Sequence, residues 1–150
     1  MAAQTTSSTL IAADPASIMA VIADFGSYPQ WAKGVRSADV LSTYDDGRAH
    51  QVSFVLDAPP IRDDYTLNYV WDGDRGVTWS LVEATMLTAM EGAYILETEP
   101  AGSKVSYQLT VDLSLPILGM LKRTGEKVII DTALKGLKHR VEKQQPEGAS

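Results

Sequence analysis

There is no cysteine in the chain, and that one absence removes disulfides, thiolate nucleophiles and zinc knuckles together, so stability has to come from packing. No apolar run approaches the ~18 residues that a membrane span needs, and the N-terminus has neither a basic segment nor an apolar block behind it, so a cytoplasmic protein is expected. There is no glycine-rich phosphate loop, Walker motif or dinucleotide fingerprint, so no cofactor is expected. Histidine is limited to His50 and His139, which are too isolated to suggest a metal site or a catalytic triad and read as solvated surface residues. Basic side chains are scarce along most of the chain: residues 1–116 carry 6 against 15 acidic ones, and 117–150 carry 7 against 4. An acidic body of this kind argues against nucleic acid as a partner, because affinity for phosphate backbones comes from clustered Lys and Arg.

The 150 residues, 45% apolar and 21% charged, fit one globular domain with one core, spanning 1–150 with an ordered part of about 5–143. The polar ends, Met1–Ser8 and Gln144–Ser150, are expected to fray. Thr5–Ala12 reads as a first strand. Asp14-Pro15 then supplies an N-cap followed by proline at the first helical position, and Ile18, Val21, Ile22 and Phe25 recur at spacings of three and four, which predicts a helix with one buried face. Gly26 ends it, and Tyr28-Pro29-Gln30-Trp31 reads as a short second helix or turn, with Trp31 as plain core.

From Val35 to Leu113 the apolar period becomes two. Turn chemistry at Asp45-Asp46-Gly47, Ala58-Pro59-Pro60, Asp72-Gly73-Asp74-Arg75-Gly76 and Glu99-Pro100-Ala101-Gly102 cuts it into six strands, seven with the first. The alternation is clearest in Val105, Tyr107, Leu109, Val111 and Leu113, and recurs in Tyr65, Leu67, Tyr69 and Trp71 and in Val77, Trp79 and Leu81. After Pro116, the residues Ile117, Leu118, Leu121, Val128, Ile129, Leu134, Leu137 and Val141 keep helical spacing for about 25 residues, or roughly 40 Å. A strand of about ten residues spans only ~33 Å, so such a helix buries its length only diagonally across a curved sheet. The fold predicted is α+β: a curved antiparallel seven-stranded sheet around a long C-terminal helix, with two short helices between strands 1 and 2.

Ala13-Asp14-Pro15, Tyr28-Pro29-Gln30-Trp31, Glu91-Gly92-Ala93-Tyr94 and Leu118-Gly119-Met120-Leu121-Lys122-Arg123 together resemble the polyketide cyclase/dehydrase and lipid-transport group of the START-like (SRPBCC), helix-grip superfamily. The similarity runs from about Thr5 to Val141 and is strongest to small actinobacterial cyclase/dehydrase-like proteins. It implies the helix-grip fold and an apolar cavity between the sheet and the last helix. It implies no single activity, because the group includes aromatases, plant hormone receptors, ubiquinone-binding chaperones and sterol carriers. No catalytic residue carries over.

Strand parity then gives the expected cavity lining: Val52, Phe54, Leu67, Tyr69, Val77, Trp79, Tyr94, Leu96, Tyr107 and Leu109 from the sheet, with Leu118, Leu121, Gly125 and Val128 from the helix. Such a list, mostly apolar with three phenols, has the composition of a small-molecule site and also that of a plain core. Gly125 and Gly136 each cost about 1 kcal/mol inside a helix, so either a ligand or the close approach of the sheet has to offset them. Met86, Met90 and Met120 would let a pocket adapt. Arg62, Asp63 and Asp64, beside Pro59-Pro60, read as a solvated loop ahead of the alternative that they guard a cavity mouth. Glu91 falls on the outer parity and so outside the cavity, and the cations of the last helix read as a solubilising face that touches a membrane at most transiently. The leading expectation is a monomer or homodimer that binds an apolar lipid, quinone or polyketide as carrier, sensor or chaperone. A polyketide cyclase/dehydratase ranks second, and an interaction module without a ligand third.

Overall fold

The computed structural model describes residues 5–58, 61–113 and 119–144, the side chains at 58, 61, 113, 119–122 and 144 lying outside the description. Strands β1 (Thr5–Ile11), β2 (Val35–Thr43), β3 (Ala49–Ala58), β4 (Ile61–Asp72), β5 (Gly76–Ala84), β6 (Leu87–Glu99) and β7 (Gly102–Leu113) form one sheet in the order β1-β7-β6-β5-β4-β3-β2. Every pairing is antiparallel. Short turns make β2 to β7 a meander, and β1 closes the far edge against β7, Thr5 standing opposite Leu109. Thr5–Ser8, expected to fray, is therefore held in the sheet.

Helices α1 (Pro15–Ala23) and α2 (Tyr28–Trp31) carry the chain from β1 to the opposite edge. The N-cap reading holds: Asp14 accepts the backbone N–H of Ser17 at 3.1 Å, with proline in the first turn. Register shifts between Val40 and Ser42, Thr66 and Leu67, and Leu87 and Ala89 bend the strands and give the sheet a concave face. Val105, Tyr107, Leu109 and Val111 are all buried on that face.

Helix α3 (Gly119–Gln144) is 26 residues long and packs on β1, β7 and α1. Its buried face is Ile130, Leu134, Leu137 and Val141, at spacings of four, three and four. Val128, expected in the cavity lining, is 52% exposed. Glu126 is only 1% exposed. Its Oε1 accepts the Thr5 hydroxyl at 2.7 Å and its Oε2 the Val111 N–H at 2.7 Å, so one carboxylate ties α3 to β1 and β7. At Gly136 a β-carbon would lie 2.4 Å from the Trp31 carbonyl oxygen; the close approach expected from the sheet comes instead from α2. No helix among the described residues is long and apolar enough to cross a membrane.

Candidate functional site

Because α3 sits over β1 and β7, the middle of the concave face is left uncovered, and a cavity of about 460 Å³ opens there. Its walls come from α2 and the turn after it, from β3 to β7, and from Gly125 to Ala133 of α3. The chain is poor in aromatics, at 7%, yet eight of them line this space: Tyr28, Trp31, Phe54, Tyr65, Tyr69, Trp79, Tyr94 and Tyr107. They touch in sequence around the wall. Ring centroids lie 4.8 Å apart for Tyr28 and Trp31, 5.4 Å for Phe54 and Tyr65, 5.8 Å for Tyr69 and Trp79, and 4.7 Å for Tyr94 and Tyr107. Tilted, edge-on and stacked pairs of this kind add about 0.5–1.5 kcal/mol each beyond area burial, so the wall is stiff.

Two glycines shape the space. Gly92 stands opposite Trp79 in the β5–β6 ladder, and a β-carbon there would come within 2.4 Å of the indole. The missing side chain is what lets the Trp79 ring lie flat against β6. Across the cavity, a β-carbon on Gly125 would meet no atom within 4 Å, so this glycine leaves open space, unlike Gly136.

The polar groups are mostly phenols. Burial pushes the hydroxyls of Tyr28, Tyr65, Tyr69, Tyr94 and Tyr107 well above the ordinary tyrosine value; for all but Tyr107 the neighbouring phenols add to this, as Asp63 does for Tyr65 and Asp24 for Tyr28. They are neutral donors at any physiological pH. Tyr28 donates to the Ile22 carbonyl. Among the described residues the other four hydroxyls have no protein partner, and Trp31 Nε1 is an enclosed donor without one. Two charged residues, Lys33 and Asp57, complete the lining. Asp57 is held below the usual carboxylate range by hydrogen bonds from Arg36 and then Arg62.

Of the residues expected to line a site, Phe54, Leu67, Tyr69, Trp79, Tyr94, Tyr107, Gly125 and Val128 are brought together here. Val52, Val77, Leu96 and Leu109 are buried but are not part of the wall. Parity gives the face of a residue and not its place along the strand; β7 lies under α3, and β6 meets α1. Leu118 lies outside the described residues, as does the side chain of Leu121. Tyr65, Lys33, Ile129 and Thr132 belong to the wall without having been singled out, although Tyr65 shares the parity of Leu67 and Tyr69. Trp31, read as core, is on the wall, and so is Met90.

Glu91 is exposed, as its parity requires, and His139 is exposed too. His50 is half-buried, its ring 4.8 Å from that of Tyr44. Arg62, Asp63 and Asp64 are not a loop: they lie within β4, and Asp63 is buried. Its carboxylate accepts the N–H groups of Thr85, Met86 and Leu87 at 3.1, 2.8 and 2.8 Å, organising the turn into β6. No cluster of three metal-ligating residues exists among the described residues.

The sequence profile of the family described as polyketide cyclase / dehydrase and lipid transport matches residues 2–142. Among solved structures, a START superfamily protein from Mycobacterium smegmatis superposes with a TM-score of 0.88 at 20% identity, covering 95% of this chain and 99% of its own. A Thermus thermophilus protein gives 0.79 at 22%, covering 96% and 100%. The Zhui aromatase/cyclase from a Streptomyces species gives 0.75 at 13%, covering 99% and 98%. At these identities the likeness is one of fold. No curated protein matches the sequence.

Proposed function

The chain belongs to the polyketide cyclase / dehydrase and lipid transport family, and from that premise we propose that it is a binding protein for an apolar small molecule held in the aromatic cavity between the sheet and α3. The observation that carries this reading is the wall itself: about 460 Å³ with eight aromatic residues in its lining, and the hydroxyls of Tyr65, Tyr69, Tyr94 and Tyr107 that no protein group among the described residues uses. Among the described residues Trp31 Nε1 is the enclosed donor without a partner, and a neutral donor left so costs about 1–3 kcal/mol. A ligand bearing a carbonyl or hydroxyl would recover that while burying its carbons at ~0.8 kcal/mol per CH₂. The space corresponds to roughly fifteen water-sized atoms at about 30 Å³ each, within the ordinary range for small-molecule pockets.

The cyclase/dehydratase alternative needs a group that moves a proton near the operating pH. Phenols pushed upward by burial are poor acids, and the lining carboxylate Asp57 is already paired with Arg36 at 2.6 Å and Arg62 at 2.9 Å. The balance therefore favours binding. The test is a fluorescence titration with the neutral apolar probe N-phenylnaphthylamine, followed by organic extraction of protein purified from its own host. Saturable binding at one site, lost in Trp79→Ala, is expected; non-saturating binding indifferent to Trp79 would refute a cavity ligand.

A further inference from the structure

The cavity wall changes character from floor to mouth. Around Trp79, Tyr94 and Tyr107 it presents only carbon and neutral hydroxyls. Both charged lining residues stand together at the mouth, where the backbone N–H of Asp57 donates to the carbonyl of Gly34, beside Lys33, at 2.7 Å. They do not neutralise each other. Asp57 accepts from Arg36 at Oδ2 and from Arg62 at Oδ1, so each of its oxygens already has a cationic partner. Lys33 is exposed, and no ion pair is recorded for it among the described residues. The charged lining is therefore one ammonium without a partner among the described residues and one carboxylate already bound to two arginines, on a chain whose net charge is −6. Val128, also in the lining, is 52% exposed and adds apolar surface. Exposed apolar carbon at the entrance beside an unpaired ammonium matches an amphiphile entering with its apolar end first.

We infer that the ligand is an organic anion: an apolar, ring-bearing body with oxygen acceptors for the buried phenols, ending in a carboxylate-, sulfonate- or phosphate-type group that Lys33 holds at the mouth. The inference rests on the binding reading above. Lys33 acts from solvent, so its share of the affinity is small and screened by salt.

Two fluorescent probes that differ by one sulfonate, N-phenylnaphthylamine and anilinonaphthalene sulfonate, separate the two claims. In Lys33→Gln the affinity for the sulfonate is expected to fall about three- to fivefold at low salt, and further in Lys33→Glu, while the neutral probe binds as before. Raising the salt to about 0.5 M should abolish the difference between wild type and variant. Lys127→Gln, which alters an α3 cation paired with Asp131 and outside the lining, should change neither probe. Equal affinity for the sulfonate in wild type and Lys33→Gln, or an equal loss for both probes, overturns the anion inference and leaves the binding reading standing. Failure of wild type to bind either probe removes the binding reading and this inference with it.

Discussion

Replacing Gly92 by alanine should destabilise the protein and contract the cavity, although strand propensity predicts the opposite. Within a strand, alanine is favoured over glycine by about 0.5–1 kcal/mol. Here, however, the new β-carbon would lie 2.4, 2.5 and 2.7 Å from Cζ2, Cε2 and Nε1 of Trp79. Ordinary carbon contacts sit at about 3.5–4.0 Å, so the indole has to advance by roughly 1 Å into the cavity. It is not free to do so, because its ring lies 5.8 Å from Tyr69, 5.5 Å from Tyr94 and 5.4 Å from Tyr107. Overpacking of a core costs about 1–3 kcal/mol, which outweighs the propensity gain and leaves a net loss on the order of 1–2 kcal/mol. At about 2–4 °C per kcal/mol for a domain of this size, the melting temperature should fall by roughly 2–8 °C. Calorimetry reads that fall, and titration with N-phenylnaphthylamine should show affinity reduced about tenfold. Trp79→Phe in the Gly92→Ala background removes the clashing indole atoms and should recover part of the stability. A Gly92→Ala variant as stable as wild type, with unchanged probe affinity, would show that Trp79 is not seated by Gly92.

Gly125→Leu should raise the melting temperature by a few degrees, since a helix-interior glycine costs about 1 kcal/mol and a β-carbon there meets open space, yet abolish probe binding by filling the cavity. Gly136→Ala should lower stability instead, because its β-carbon meets the Trp31 carbonyl. Asp63→Ala strands the N–H groups of Thr85, Met86 and Leu87 and should cost roughly 2–4 kcal/mol in urea unfolding. Alkali should unfold the protein cooperatively: Tyr28, Tyr65, Tyr69, Tyr94 and Tyr107 have folded pKa values raised above the unfolded one, so their contribution is intact below about pH 10 and is lost as pH climbs toward the folded values. Five such groups together remove up to about 7 kcal/mol per pH unit, so the rise of tyrosinate absorbance should coincide with the loss of secondary structure; phenols titrating before unfolding would contradict their burial.

By itself the sequence determined the order and type of the elements, the layer order and the inward face of the most clearly alternating strands. These are carried by local signals: the Asp14-Pro15 cap, the two-residue alternation through Tyr107 and Leu109, and the three- and four-residue spacing of Leu134, Leu137 and Val141. Only the tertiary structure decided which inward residues line a space and which fill a core. Leu96 and Leu109 have the same parity as Tyr94 and Tyr107, and nothing local separates them until α3 takes its place on the β1–β7 edge. Gly125 and Gly136 carry the same helical cost in the sequence, yet one faces open space and the other the Trp31 carbonyl. Asp63 reads as part of a solvated loop and no local signal marks Glu126, yet both are buried because their partners, Thr85 to Leu87 for one and Thr5 and Val111 for the other, come from distant parts of the chain. Periodicity reports the orientation of a side chain about its own element. A cavity, a buried carboxylate and a seated indole depend on where two elements stop short of each other or meet, and that is set by packing between distant residues.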